Sequence, residues 1–281
     1  MTKKSIIWLA IFVTLIALIG ILFGAVFCLR NQNVKVVDGS ALLVDKSEII
    51  QTAGFKNGKS IFMIDKDKAI SNIEAKYPHI KVVQIKTTGL LSIEISVRTR
   101  HEMYYTEANE KYYVLDEDLK VLNIIEETTS ESEPTNLTKI VAGEISISTT
   151  TEVCDFVGTN HQRLVAYDLF VAMNTVVTKT DGETETYLDR EDIKSMLKTV
   201  DFEEFDTFNK LIITTKYGVK LDIEKPENNL QNKINICFST IETFLASTET
   251  ENKEQSGTIK IYYNLNNEMQ CIYIPQTEVN E

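Results

Sequence analysis

The sequence predicts an α+β protein: one N-terminal transmembrane helix followed by two folded domains, each a sheet with helices packed on it. Three observations lead there. Residues 6–29, IIWLAIFVTLIALIGILFGAVFCL, pass 24 positions without a charge. After them, short apolar runs alternate between the period of a helix and the period of a strand. Farther on, polar stretches separate several alternating strands from one long amphipathic helix and a closing hairpin.

As a helix, residues 6–29 reach roughly 36 Å, enough to cross a hydrocarbon core of about 30 Å with some tilt. Gly20 and Gly24 are tolerated, because an unbroken helix satisfies every peptide group internally. Their small-xxx-small spacing also lets two such helices approach closely. A cleaved signal peptide has a shorter apolar run and a small-x-small site, whereas this run ends Phe27-Cys28-Leu29-Arg30. Phe27 also stands where a lipoprotein signal needs a small residue, which leaves Cys28 as an ordinary thiol at the outer edge of the span. Lys3 and Lys4 precede the run, and positive charge near a span is retained in the cytoplasm. Arg30 and Lys35 oppose this, but the shortness of the N-terminal flank favours a cytoplasmic tail of residues 1–5.

Lys3, Lys4 and Arg30 are three of the 29 basic residues, so residues 31–281 carry 26 against all 41 acidic ones, a formal charge of −15. Nucleic acid and anionic headgroups repel such a surface, so neither is expected as a ligand. At about 250 residues this part exceeds a usual single core, which suggests two domains. Cys154, Cys237 and Cys271 are odd in number and lack CxxC spacing, so they form no disulfide framework. Either Cys237 and Cys271 pair, or they are free thiols serving as small core residues.

The first domain is expected over residues 34–100. VKVVDG offers a strand and a turn at Asp38-Gly39. Asp45 stands three residues before Glu48, the spacing of a capping box, and Ile49, Ile50 and Ala53 give the helix that follows an apolar face ended by Gly54. SIFMID closes on Asp65, an N-cap for a second helix whose Ala69, Ile70, Ile73 and Tyr77 share one side, and Pro78 stops it. Residues 80–86 form a strand; in the next, Leu91, Ile93, Ile95 and Val97 alternate with Ser92, Glu94, Ser96 and Arg98. The order is β-α-α-β-β, and both helices must cover one sheet face, because no other apolar surface is available to bury them.

This order, with VDKSEIIQTAGFKNGKSIFMIDKDKAISNIEAKYPHIKVVQIKTTGLLSIEISV, resembles the POTRA domain of the bacterial division proteins FtsQ and DivIB. The matching pieces are the acid-capped EI, the AGF-x-x-G-x-SIF-x-ID run, the Tyr77-Pro78 stop and the SIEISV strand. The family's Pro before the last strand is absent around Thr88 and Gly89, and its Glu-Arg pair appears here as Arg98-Thr99-Arg100. Residues 101–275 resemble the family's beta domain more loosely. KYYVLDEDLKVLNI reads as a hairpin turning at Asp116 to Asp118, and EETTSESEPTN as a solvated surface loop. Leu164, Tyr167, Phe170, Val171, Met173 and Val176 are spaced for a helix, and a shorter helix is predicted from Arg190 to Lys198. LIITTKYGVKLDI makes a hairpin about Tyr217-Gly218. Leu230, Ile234, Cys237, Phe238, Ile241, Phe244 and Leu245 form the clearest amphipathic helix. STETENKEQSG is a second polar loop, and the strands TIKIYYN and EMQCIYI meet around residues 265–267. The family's GTIDLR-like strand appears as Gly257 to Tyr262, with Lys260 in the Asp position. Residues 276–281 are a short tail.

The residues suggest no enzyme, metal site, cofactor or small-molecule substrate. His79, His101 and His161 lack metal-ligand spacing, and no G-x-S-x-G or S-x-x-K precedes a helix. Gly58-Lys59-Ser60 falls one residue short of a phosphate loop. The pairs Glu126-Glu127 and Glu203-Glu204 read as solvated charge, and Asn136-Leu137-Thr138 as a chance glycosylation match.

What the resemblance implies is a bitopic scaffold of the plasma membrane, enriched at the division septum. It would bind FtsB/DivIC-like and FtsL-like single-span proteins and help control septal wall synthesis. In the family the FtsB-type partner docks beside the last strand of the beta domain, here Met269, Gln270, Cys271, Ile272, Tyr273 and Ile274, with Tyr262 and Tyr263 on the preceding strand as aromatic anchors. A structural reading competes with it, in which Ile272 and Ile274 face the core while Cys271 and Tyr273 cover the other face. Two rival functions also remain, another membrane-anchored POTRA-like interaction protein, of sporulation or secretion, and an envelope enzyme.

Overall fold

The computed structural model describes residues 3–26, 28–37, 41–89, 91–141, 143–174, 196–202, 205, 209–216, 218–247 and 257–275. The chain divides into two compact units, Met1–Arg100 and His101–Glu281.

In the first unit a continuous helix, α1 (Lys3–Val26), begins and ends three residues earlier than the predicted span. Trp8, Ile11, Phe12, Leu15 and Ile21 are among its exposed apolar side chains. Among the described residues no helix is long and apolar enough to cross a membrane. Within 6–29 the described side chains are those of residues 8, 11–21, 28 and 29. The end of the apolar run belongs to the folded domain: Cys28 bridges Ser60, and Leu29 is buried in the domain core.

Strand β1 (Asn31–Val36) follows; the predicted turn at Asp38-Gly39 lies outside the described residues. Helix α2 (Lys46–Ala53) ends at Gly54, whose φ of 71° is the left-handed conformation that suits glycine. The predicted capping box is not formed. The Asp45 side chain makes no cap bond, and the Glu48 carboxylate instead accepts from Tyr77 Oη at 3.1 Å. SIFMID holds a single 3-10 turn, Ile61–Met63, after which Asp65 accepts from Lys68 N at 3.0 Å and caps α3 (Lys66–Lys76). Strands β2 (Ile80–Thr88) and β3 (Ser92–Thr99) complete a sheet ordered β1-β3-β2, with β1 parallel and β2 antiparallel to β3. Ile49, Ala53, Ala69 and Ile73 of the two helices share one core with Val34, Ile93, Ile95 and Val97 of the sheet.

The second unit is a nine-stranded mixed sheet, counted among the described residues, with helices packed on it. Its strands are β4 (Tyr104–Ala108), β5 (Lys111–Leu115), β6 (Val121–Ile125), β7 (Thr138–Ile140), β8 (Leu197–Asp201), β9 (Lys210–Thr215), β10 (Val219–Glu224), β11 (Gly257–Tyr263) and β12 (Met269–Pro275). Their spatial order is β12-β11-β10-β9-β8-β7-β4-β5-β6. Helices α4 (Asn160–Met173) and α5 (Leu230–Ser247) pack against each other and share the sheet's core. Because α5 links β10 to β11, those strands run parallel, as a crossover connection requires.

Three expectations for this unit are corrected. The predicted helix from Arg190 to Lys198 ends instead in strand β8; its residues 190–195 lie outside the described ones. Helix α4 exists, but its inward stripe is Val165, Ala166, Leu169, Ala172 and Met173, while Leu164 is exposed and Val171 partly so. Apolar residues cover both sides of this helix, and Thr159, which caps it with Gln162 in a reciprocal box, sets its rotation. The acidic loop after β6 is not simply solvated, since Glu133 accepts from Tyr105 Oη at 2.7 Å and from Lys139 Nζ at 3.3 Å. Glu126 pairs with Lys111 Nζ at 2.6 Å but is 68% exposed, and so is solvated charge as expected. Val176, Glu203, Glu204, Tyr217, the loop 248–256, the side chains of Phe244 and Leu245 and the tail 276–281 lie outside the described residues.

Candidate partner-binding edge

β12 forms because Met269 to Ile274 carries residues that suit a pleated surface, and the turn after Tyr263 is built to return the chain. Asn264 Oδ1 accepts from Asn266 N and Glu268 N, both at 2.9 Å, and Asn267 adopts a φ of 60°. The strand then pairs antiparallel with β11 and, among the described residues, ends the sheet, so half of its peptide groups point away from β11 at an open edge.

The register divides the eight sequence-predicted residues between two faces. Buried Ile259 and Ile261 stand opposite Tyr273 and Cys271, and Tyr263 opposite Met269. Met269, Cys271 and Tyr273 therefore share the core side, where Met269 and Tyr273 pack against the core. Lys260 stands opposite Ile272, Thr258 opposite Ile274, and Tyr262 opposite Gln270 on the outward side. Ile272 is 40% and Ile274 47% exposed. The reading that turned these isoleucines inward is thus reversed: the outward face carries Tyr262, Gln270, Ile272 and Ile274.

Two features hold the inward face. A Cβ on Gly257 would overlap the Tyr273 ring, so glycine lets that ring lie flat on the neighbouring backbone. Tyr263 is gripped by cations, with Lys225 Nζ 4.9 Å and Lys233 Nζ 5.0 Å from its ring centre. Lys233 is fully buried and donates to the carbonyls of Glu224 at 2.8 Å and Lys225 at 2.7 Å. Burial lowers its amine from 10.5 to about 8; the charge of Lys225 acts in the same sense, and Glu227 and Glu224 oppose it. The sequence reading passed over Lys233, although it continues the inward spacing of Leu230, Ile234 and Cys237 on α5. Cys237 and Cys271 are not paired with each other. Cys237 is buried and its thiol is pushed up, mainly by that burial and then by the nearness of Cys271.

Elsewhere, Asp116, Glu117 and Asp118 bring carboxylate oxygens within 4.8 Å of one another. Asp116 Oδ1 accepts from the amides of Asp118 and Lys120 at 2.8 Å, which builds the β5–β6 turn. His101 stacks on Phe170, and His161 lies against Phe205.

The family model for the FtsQ-type POTRA domain matches residues 33–100. Over 93 residues the chain is 30% identical to the cell division protein DivIB of Clostridium acetobutylicum, which covers 33% of this chain and 37% of that protein. Over 108 residues it is 32% identical to the cell division protein DivIB of Clostridium tetani, covering 38% of this chain and 40% of that one. The matched stretch is thus about two fifths of either relative's length.

Proposed function

Taking as premise that the chain belongs to the FtsQ/DivIB family, whose POTRA domain occupies residues 33–100, we propose that it is a bitopic division scaffold that binds other single-span division proteins outside the membrane. The observation that carries the reading is the FtsQ-type POTRA domain at residues 33–100, which begins seven residues after the helix Lys3–Val26. Without Cys28 and Leu29, which belong to the folded domain, the apolar run 6–27 still has the length of a bilayer crossing. Residues 1–5 then lie in the cytoplasm and both folded units outside it. One anchor confines them to a thin layer above the membrane and raises their effective concentration for other anchored proteins.

The partners are FtsB/DivIC-like and FtsL-like proteins, and the docking place is the β12 edge. A partner strand laid beside β12 would complete its open peptide groups, while Ile272, Ile274 and Tyr262 offer apolar contacts on the outward face. The protein works by assembly rather than by catalysis, and needs no cofactor.

The test is the position of an N-terminal fluorescent fusion in dividing cells, using a fusion that complements a deletion. A band at the division plane is expected. An even signal around the envelope would reject the divisome role while leaving the POTRA fold untouched.

A further inference from the structure

We propose that the turn Ile61–Met63 is a second, interfacial membrane contact, with Phe62 and Met63 seated among the headgroups of an anionic bilayer. The inference rests on the reading of α1 as a membrane span and adds a lipid-binding surface to it.

Phe62 and Met63 are each 72% exposed on a 3-10 turn, an unusual place for two adjacent large apolar side chains. The connection between this turn and the helix is short. α1 ends at Val26; Cys28 then bridges Ser60, Leu29 N donates to the Lys59 carbonyl at 2.9 Å, and the Leu29 carbonyl accepts from Gly58 N at 2.9 Å. From Val26 to Cys28 is at most about 7.6 Å, and an antiparallel bridge spans about 5 Å. The turn begins one residue after Ser60. It is therefore held within about 16 Å of the end of the helix at the most extended.

The apolar run continues through Leu29, but Cys28 and Leu29 are used inside the folded domain. The domain is thus drawn down onto the surface at which a span would emerge, where headgroups form a layer several ångströms deep. Charge agrees. The chain carries −12, yet its segment 56–68 holds Lys56, Lys59, Lys66 and Lys68 against Asp65 and Asp67, a local +2. Apolar side chains flanked by lysines are the composition of an interfacial anchor on anionic lipid. The other exposed apolar position used for comparison, Leu43, lines a small cleft with Lys76 and Tyr77 at the far end of α3, about 16 Å along that helix.

Tryptophan placement tests this, since Trp8 is the sole tryptophan. The full-length protein is reconstituted into phosphatidylcholine–phosphatidylglycerol vesicles carrying nitroxide lipids labelled near the headgroup or deep in the chain. Phe62→Trp in a Trp8→Phe background should emit to the blue and lose roughly twice as much intensity to the shallow label as to the deep one. Leu43→Trp in the same background should emit as in water. Native Trp8 reports the span independently. If Trp8 is quenched while the tryptophan at position 62 emits as in water, the interfacial contact is wrong and the span stands. Equal quenching at positions 62 and 43 also overturns the contact. If Trp8 itself escapes both labels, the span fails and the contact with it.

Discussion

Replacing Lys233 by methionine removes the ammonium that ties α5 to the end of β10 and to Tyr263. Two charge-assisted hydrogen bonds are lost, at 2.8 and 2.7 Å, and the Glu224 and Lys225 carbonyls are left under a buried side chain. Each such bond contributes about 1.5 to 3 kcal/mol. Against this, methionine spares the desolvation that lowers the amine from 10.5 to about 8. Taken in full that shift is worth about 3 kcal/mol, and screening and the partner carbonyls reduce it to about 1 to 2. The variant should therefore lose about 1 to 5 kcal/mol at pH 7. The sign of the pH dependence follows from the same shift. The folded pKa lies below the unfolded one, so the unfolded chain binds more protons between pH 8 and 10.5, and stability rises with pH in that window. The wild type should gain about 1 kcal/mol relative to Lys233→Met between neutral pH and about pH 9.5. The assay is urea unfolding of the detergent-solubilised full chain, followed by amide protection in Val219–Glu224 and Gly257–Tyr263. A variant as stable as wild type at pH 7, or a gap that fails to widen in alkali, refutes the reasoning.

Glu74 accepts from Arg100 Nη2 at 2.9 Å and from Val82 N at 2.9 Å, with the Arg100 side chain only 1% exposed, so Glu74→Gln should cost the POTRA unit about 3 kcal/mol. Calorimetry should show one early transition with the second unit's transition unmoved. Gly257→Ala should cost about 1 to 3 kcal/mol by displacing the Tyr273 ring, and it should speed exchange across Met269–Pro275 before any other segment of the sheet. Ile272→Lys combined with Ile274→Lys should leave the thermal transitions in place, because both side chains point outward, and should weaken capture of a co-expressed FtsB/DivIC-like protein at least tenfold, about 1.4 kcal/mol. Undiminished capture would remove the β12 edge from the proposed interface.

The POTRA unit was legible because its signals are local. Asp65 caps the helix it precedes, Gly54 ends the one before it, and the apolar residues of β3 fall at alternate positions with a single buried face to satisfy. What failed there was a choice between two partners for one group. Glu48 has capping-box spacing to Asp45, yet its carboxylate meets Tyr77, 29 residues on, and only the packing of α2 against α3 brings that ring near. In the second unit the misses are of the same kind. α4 carries apolar residues on more than one face, so periodicity allows several rotations and the Thr159–Gln162 box with its neighbours decides among them. β8 pairs with β7, more than fifty residues earlier, and no local pattern announces so distant a partner.

The proposed interface shows where such reading stops. In Met269 to Ile274, Cys, Ile, Tyr and Ile follow one another, so both faces are apolar and alternation selects neither. Register with β11 selects: Ile259 and Ile261 are buried, so whatever stands opposite them faces inward. Tyr273 takes that place only because Gly257 leaves room for its ring. The two isoleucines are consequently turned out on the last strand of the sheet, where a protein without a partner would place charge to blunt the edge. Lys260 and Lys220 do stand on the outward face of the strands behind, but β12 itself carries no charged residue from Met269 to Pro275. An uncharged, apolar-faced edge strand is an aggregation hazard in isolation, and a partner strand laid along β12 would cover both its open peptide groups and its outward isoleucines.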